Sequence, residues 1–289
     1  MQILKKLKDF SELVAFSHSI FSMPFIFIAM IVSQYQLSGS VWFGWKLFVF
    51  GVVAAISARN FAMAFNRLVD REFDKKNPRT KNRPSVDGRI SPLSMLIFIA
   101  VNAAVFVLCG FFINSLCFYL SFPILIILAS YSLMKRFSSA AHLVLGLSLG
   151  LAPIAGVAAV SGEIPLWSVY LCLGVLFWVA GFDLLYALQD IDFDKKAGLF
   201  SIPSVFGAKK TLLISKGFHL LTIIFWGLFI YSANLGLFMW AALVLSFIAL
   251  SYEHYLVSKN FRNIPKAFFT INGYLGIAFF AFCVAELVL

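Results

Sequence analysis

Long apolar stretches separated by short polar breaks run through the whole chain of 289 residues. A helix needs about 20 mostly apolar residues to cross the hydrocarbon core of a bilayer. We expect nine such membrane-spanning helices, at roughly 12–35, 41–65, 93–113, 115–134, 140–160, 165–189, 211–231, 234–257 and 268–289. The pattern therefore predicts an all-α polytopic membrane protein, with one transmembrane domain covering residues 1–289.

The composition agrees with this fold class. Hydrophobic residues make up 61% of the chain and charged residues only 12%, whereas a soluble domain carries about 25% charged residues. The net charge of +10 indicates membrane orientation and contact with anionic lipid in such a protein, so the expected partner is the lipid bilayer and not nucleic acid. The four cysteines show no CxxC spacing and predict no metal site.

Basic residues predict the topology. Lys and Arg collect in alternate polar segments, which hold 20 of the 23 basic residues, at the N-terminus and around 67–89, 135–136, 195–210 and 259–266. By the positive-inside rule these segments are cytoplasmic. The N-terminus and two acidic segments, 66–92 and 183–210, are therefore expected on the cytoplasmic side.

Two of these segments resemble each other. Residues 72–85 read EFDKKNPRTKNRPS, and residues 192–204 read DFDKKAGLFSIPS. Each follows an even-numbered predicted span. We interpret them as equivalent parts of two pseudo-repeated halves, with a chance likeness of two short charged loops as the alternative.

Polar side chains recur at helical spacing in both segments. Asn66, Asp70 and Asp74 are four residues apart, and Asp183, Tyr186, Asp190 and Asp194 also share one helical face. Clustered carboxylates repel each other unless a cation neutralises them, and Mg²⁺ prefers oxygen ligands that it shares with phosphates. The two motifs predict a Mg²⁺-bridged diphosphate site. The alternative is a pair of solvated helix ends with local ion pairs.

Three other basic residues lie within or at the end of a predicted span. Arg59 lies seven residues before Asn66, on the same helical face and about 10 Å deeper. It contacts either a substrate or a buried structural partner. Lys135 and Arg136 follow Tyr131 at the end of the fourth span, where they either anchor the helix or recognise an anion.

The motifs resemble those of the UbiA-type intramembrane aromatic prenyltransferases over essentially the whole chain. The first family pattern is matched by Asn66, Asp70 and Asp74 with Arg79-Thr80-Lys81-Asn82-Arg83-Pro84, and the second by Asp183, Tyr186, Asp190 and Asp194 with Lys195 and Gly198. The resemblance implies nine helices around a central cavity and an isoprenyl diphosphate held through Mg²⁺.

The resemblance also implies a role for each candidate residue. The metal ligands would be Asn66, Asp70, Asp74, Asp190 and Asp194. Substrate would contact Arg59, Lys75, Arg79, Tyr131, Lys135 and Lys195. Asp183, Tyr186 and Arg136 would act on the acceptor, with Arg136 holding its carboxylate.

The implied reaction is Mg²⁺-dependent transfer of a polyprenyl group from polyprenyl diphosphate to an aromatic acid, at a bacterial inner membrane, in respiratory quinone biosynthesis. The likeness is to 4-hydroxybenzoate polyprenyltransferases. However, the first span reads HSIFSMPF, which resembles the variant that uses a naphthoate for menaquinone. A dihydroxynaphthoate is therefore the alternative acceptor.

Two rival classes fit less well. A CDP-alcohol phosphotransferase needs a DGxxAR run, and only Asp87-Gly88-Arg89 comes near it, after the acidic motif. A membrane transporter would place ionisable residues near the bilayer midplane, whereas the acidic residues here cluster at one membrane face.

Overall fold

The computed structural model describes residues 2–14 and 23–289, and this part of the chain contains helices and no strand. The helices are α1 (Gln2–Leu13), α2 (Met23–Ser38), α3 (Trp45–Val69), α4 (Arg71–Lys76), α5 (Pro92–Ile113), α6 (Ser115–Met134), α7 (Ala141–Ser161), α8 (Leu166–Ala187), α9 (Ile191–Ala197), α10 (Ile202–Ser232), α11 (Leu237–Lys259), α12 (Ile264–Lys266) and α13 (Asn272–Val288). A π-helical turn, Ala267–Ile271, joins α12 to α13.

Eight helical segments of the described chain are long and apolar enough to cross a membrane. They coincide with eight of the nine predicted spans, which confirms an all-α integral membrane protein. The first predicted span, 12–35, ends in α2, an apolar helix of 16 residues. Residues 15–22, which include most of the HSIFSMPF segment, lie outside the described residues.

Two large hydrophobic cores and a third, smaller one hold the described helices together. One large core is formed by α3, α5 and α6, with Phe61, Met95 and Leu128 among its buried residues. The other large core joins α2, α8, α10, α11 and α13. Aromatic rings fill its centre, where Trp226 lies 4.6 Å from Phe279 between ring centroids. Such aromatic pairs stabilise a fold by about 0.5–1.5 kcal/mol in addition to the free energy gained from burying their apolar surface.

Helix α7 connects the two cores and packs very closely on α8. A Cβ atom added at Gly146 would collide with the backbone oxygen of Leu176. Glycine is therefore required at this crossing, because any side chain would push the two backbones apart. The close crossing fixes the position of α7 beside the polar end of α8.

The two acidic segments have the same local structure. Helix α3 ends at Val69, and Asp70, with φ −87° and ψ 4°, precedes the short helix α4. Asp190, with φ −104° and ψ 5°, precedes α9 in the same way. Asp74 and Asp194 are buried at equivalent places in the two short helices. This likeness supports the interpretation of pseudo-repeated halves.

The predicted continuous helical face is interrupted at Asp70. The amide of Asp70 nevertheless bonds the carbonyl of Asn66 at 2.9 Å, and the amide of Asp74 bonds the carbonyl of Asp70 at 2.8 Å. The helical spacing therefore survives the change of helix. The side chains of Asn66, Asp70 and Asp74 all reach one cavity.

The N-terminal segment, expected only as a basic tail, is the helix α1. Arg89 of the loop before α5 bonds both oxygens of Glu12 at 2.6 and 2.8 Å and reaches Asp9 at 3.3 Å. The hydrogen bond from Arg89 lowers the pKa of Glu12. These contacts tie α1 to the segment that follows the first acidic motif.

Candidate active site

A polar cavity of about 200 Å³ lies where α3, α6 and α8 end and α7 begins, beside the short helices α4 and α9. Its lining includes eleven residues that the sequence selects: Asn66, Asp70, Asp74, Arg79, Tyr131, Lys135, Arg136, Asp183, Tyr186, Asp190 and Asp194. The two motifs thus face one another across a shared space. Five of these residues are aspartates, and arginines lie among them.

The first motif is held by hydrogen bonds from nitrogen donors. The side-chain amide of Asn66 donates to Oδ2 of Asp70 at 2.8 Å. Arg83 donates to both carboxylate oxygens of Asp74 at 2.7 Å. Asp74 is only 6% exposed, and a carboxylate at that depth requires such a charged partner.

The second motif is bound to the first through Arg79. Nε and Nη2 of Arg79 donate to the two oxygens of Asp190 at 3.0 and 2.6 Å, and Nη1 donates to the hydroxyl of Tyr186 at 3.1 Å. Asp194 instead accepts a hydrogen bond from Ser201 at 2.8 Å. The segment after α4 therefore reaches across the cavity to the end of α8.

Asp70 has an unusual protonation equilibrium. Burial, followed by the negative charge of Asp74, raises the pKa of its carboxyl to about 6, while Lys135 and Arg136 oppose the change. Nη2 of Arg136 lies 3.8 Å from Oδ1 of Asp70 and is held by the carbonyl of Val69 at 2.8 Å. A bound cation would favour the ionised carboxylate, so this position suits a metal ligand.

The donor set fits Mg²⁺ shared with phosphate. Among the described residues, no three His, Cys, Asp or Glu side chains lie close enough to hold a metal ion by themselves. The first motif instead offers two carboxylates and the second three, and Asn66 adds an amide oxygen. Mg²⁺ is commonly bound by one or two carboxylates, with substrate phosphates and water completing its octahedron.

Three selected basic residues lie away from this cavity lining. Lys75 is exposed and pairs with Glu72 at 2.6 Å, and Lys195 is also exposed. Arg59 lines a second, deeper cavity. Lys75 and Lys195 each follow a motif aspartate directly in sequence. Adjacent side chains on a helix point about 100° apart, so a lysine beside a cavity-facing aspartate need not face the cavity itself.

The second cavity is apolar and has a volume of about 180 Å³. It lies between α2, α3, α5, α6 and α7, and small residues of α3 form one wall: Gly51, Ala54, Ala55, Ala58 and Ala62. Tyr131 and Leu145 line both cavities. The two spaces therefore meet at these side chains, with Arg59 near the junction.

The structure adds residues that the sequence did not select. Asn77 lies 3.4 Å from Asp190, and Arg67 donates to the side-chain oxygen of Asn66 at 3.1 Å. His142 lies 2.6 Å from Asp183. Arg67 is adjacent to a motif residue, but His142 is 41 positions from its partner, so no local pattern indicates it.

These features define an intramembrane site for an anionic head group with an apolar tail. The chain belongs to the UbiA prenyltransferase family, whose family model matches residues 23–283. It is therefore an integral membrane protein of a prenyltransferase family.

Curated relatives and solved structures agree with this assignment. A 4-hydroxybenzoate octaprenyltransferase of Dechloromonas aromatica is 30% identical over 83% of this chain and 80% of its own. The enzyme of that name from Methylobacillus flagellatus is 31% identical over 82% and 79%.

Two archaeal structures share the fold. A UbiA homologue from Aeropyrum pernix is 28% identical, with a TM-score of 0.75 over 94% of this chain and 97% of its own. One from Archaeoglobus fulgidus, bound to DMAPP and Mg²⁺, is 20% identical, with a TM-score of 0.77 over 97% and 100%.

Proposed function

We propose that this protein transfers a polyprenyl group from polyprenyl diphosphate to the ring of 4-hydroxybenzoate in respiratory quinone biosynthesis. The observation that carries the proposal is the junction of the two cavities at Tyr131 and Leu145. A polyprenyl diphosphate has the same division into a charged head and an apolar tail. The curated relatives named above support 4-hydroxybenzoate as the acceptor.

The head group would bind in the polar cavity. Asp70, Asp74, Asp190 and Asp194, with Asn66 assisting, are the proposed ligands of Mg²⁺, which supplies charge stabilisation for the departing diphosphate. The bound Mg²⁺ and DMAPP of the Archaeoglobus fulgidus homologue support this choice of cofactor and donor. Arg79 and Lys135 line the same cavity and would contact phosphate oxygens that the metal leaves open.

The tail would lie in the apolar cavity along the small residues of α3. Its lining is apolar apart from a few groups such as Arg59 and Tyr131, and an apolar wall of this kind suits an isoprenoid chain. Tyr131 would lie beside the allylic carbon, where a ring can stabilise developing positive charge.

The acceptor would enter through the polar cavity. Arg136 is held over the ring of Phe73 at 5.5 Å and remains 39% exposed, which leaves its guanidinium able to bind the acceptor carboxylate. Asp183 and Tyr186 are the proposed groups for orienting the acceptor and taking a proton. Positive-inside topology supports a cytoplasmic face for this cavity, and the bacterial relatives together with the apolar helices support an inner membrane location.

A direct assay tests the function. Purified protein in lipid nanodiscs is given Mg²⁺, one polyprenyl diphosphate and, in parallel, 4-hydroxybenzoate or a dihydroxynaphthoate. We expect prenylated 4-hydroxybenzoate, lost on chelation with EDTA and restored by Mg²⁺. Prenylation of the naphthoate alone would assign the protein to menaquinone synthesis. Prenylation of neither acceptor would reject the proposed prenyl transfer.

A further inference from the structure

A buried imidazole contacts Asp183, an aspartate of helix α8 that lines the polar cavity. Nδ1 of His142, near the start of α7, lies 2.6 Å from Oδ2 of Asp183 on α8. The side chain of His142 is fully buried, whereas that of Asp183 is 20% exposed. A contact this short between an imidazole and a carboxylate is a charge-assisted hydrogen bond.

This pair differs from the other carboxylate contacts of the cavity. Asp74 and Asp190 are each bonded by an arginine, Asp70 lies beside Arg136, and Asp194 accepts from a serine hydroxyl. Among these five aspartates, only Asp183 is paired with an imidazole. A neutral imidazole can donate one directed hydrogen bond without adding a fixed positive charge, whereas a guanidinium stays charged, so this partner orients Asp183 without permanently neutralising it.

The position of Asp183 separates it from the proposed metal ligands. It lies seven residues before Asp190 on the same face, which is about 10 Å deeper along the helix. Asp183 still lines the polar cavity, and Leu145, three residues after His142, lines both cavities. Asp183 is therefore on the side of the polar space that approaches the apolar one, where a donor's allylic carbon would lie.

The other imidazole nitrogen argues against a purely structural role. Nε2 of His142 is buried and has no hydrogen-bond partner among the described residues. A buried polar atom without a partner costs about 1–3 kcal/mol, so a leucine would serve packing alone better. The cost of burying Nε2 without a partner is explained if the hydrogen bond from Nδ1 to Asp183 serves the reaction.

We propose that His142 is the positioning residue for the proton-accepting carboxylate Asp183. The Nδ1–H group of a neutral His142 donates to Oδ2 and fixes the carboxylate, so that Oδ1 takes the phenolic proton of the aromatic acceptor. This arrangement reverses the roles of a catalytic triad, because here the carboxylate is the base and the imidazole orients it. The inference rests on the proposed function, since it requires a phenolic acceptor.

The step balances in protons and electrons. The phenolic O–H bond breaks, its proton passes to Asp183, and its electron pair stays on the acceptor. The ring carbon ortho to that oxygen forms a bond to the allylic carbon, while the bond between the allylic carbon and the diphosphate oxygen of the donor breaks and its electrons leave with diphosphate. The ring then loses its proton and the oxygen regains one, so one proton is released in total.

Two substitutions test the role of His142. His142→Leu removes the donor, and His142→Gln keeps a side-chain N–H that can reach Asp183. We expect kcat to fall about 10–100-fold in the leucine variant, the range typical of groups that orient a functional side chain, with KM for polyprenyl diphosphate within about twofold. The glutamine variant should recover most of the loss. His254→Gln, at a buried histidine outside both cavities, is the matched control.

A second readout separates positioning from a structural defect. Ring-fluorinated 4-hydroxybenzoates have more acidic phenols and need less help in losing the proton. The ratio of wild-type to His142→Leu kcat should shrink as the acceptor becomes more acidic. A folding defect would lower kcat by the same factor for every acceptor.

The outcomes are distinct. The role of His142 is overturned if His142→Leu turns over as fast as the wild type. It is also overturned if the ratio of wild-type to His142→Leu kcat does not change with acceptor acidity. Either result leaves the proposed function unaffected. A wild type that prenylates neither 4-hydroxybenzoate nor a dihydroxynaphthoate overturns both. Thermal unfolding of each variant in detergent identifies misfolded protein, and the glutamine variant then decides the result.

Discussion

Arg79 and Asp190 form a bidentate ion pair across the polar cavity, with nitrogen–oxygen distances of 3.0 and 2.6 Å. They lie 111 residues apart in sequence, one in each acidic segment. The pair holds the two segments face to face and neutralises one of five neighbouring carboxylates. The same guanidinium is within the cavity that would receive a diphosphate.

The first prediction concerns the carboxylates. Asp70→Ala or Asp190→Ala should abolish Mg²⁺-dependent prenyl transfer, because each removes a proposed metal ligand, while membrane insertion stays intact. Product is measured by chromatography over a Mg²⁺ titration, and insertion by membrane fractionation. Near-normal turnover in either variant would remove that residue from the metal site.

Arg79 and Lys75 offer a matched comparison. Arg79→Ala should lower kcat about 100-fold or more, as expected for a donor aimed at charge that develops in the transition state. Lys75→Ala should stay within about twofold, because this exposed side chain pairs with Glu72 and such pairs contribute little. Steady-state kinetics with both substrates decide the comparison. If both variants lost the same factor in kcat, Lys75 would also contact the diphosphate.

Arg136 should affect the acceptor more than the donor. Arg136→Ala should raise KM for the aromatic acid about 10–100-fold, which corresponds to about 1.5–3 kcal/mol for a hydrogen bond to a charged group. KM for polyprenyl diphosphate should change much less. The two KM values are measured with the other substrate saturating, and an equal rise in both would take Arg136 out of the acceptor site.

The small residues of α3 should set the accepted tail length. Ala58→Phe places a ring in the apolar cavity and should shift preference toward shorter polyprenyl diphosphates. Val49→Phe is the control, because Val49 is 52% exposed on the same helix and should leave the preference unchanged. Competition among donors of different length gives the ratio of kcat/KM. An unchanged ratio in Ala58→Phe would place the tail elsewhere.

A buried polar network should stabilise the hydrophobic core that joins α2, α8, α10, α11 and α13. Asn272 donates to Glu253 at 2.9 Å and accepts from the indole of Trp178 at 2.7 Å, and all three side chains are buried. Asn272→Leu removes both hydrogen bonds and should lower the free energy of unfolding by about 1–3 kcal/mol. Glu253→Gln keeps an acceptor oxygen and should cost less. Thermal unfolding in detergent measures both, and equal stability of Asn272→Leu and wild type would contradict the role of the network.

Much of this architecture follows from the sequence. Eight spans can be predicted because apolar runs of about 20 residues are unambiguous. The spacing of Asp70 and Asp190 also predicts that their side chains share one site, and both line the polar cavity. The directions of Lys75 and Lys195 depend on how α4 and α9 pack, which spacing along a short helix does not determine. His142 is not predicted for a related reason. Its partner is on another helix, and the close packing at Gly146 and Gly150 that brings α7 and α8 together is not visible in the sequence.

The meeting of the two cavities at Tyr131 and Leu145 has a chemical consequence. A polyprenyl diphosphate dissolves in the bilayer, whereas an ionised aromatic acid dissolves in water, so the two reactants rarely meet in one solvent. A site with an apolar end and a polar end lets each reactant stay in contact with its own medium. The protein would then act as a phase-transfer catalyst, in which the fold supplies the interface where oil-soluble and water-soluble reactants combine.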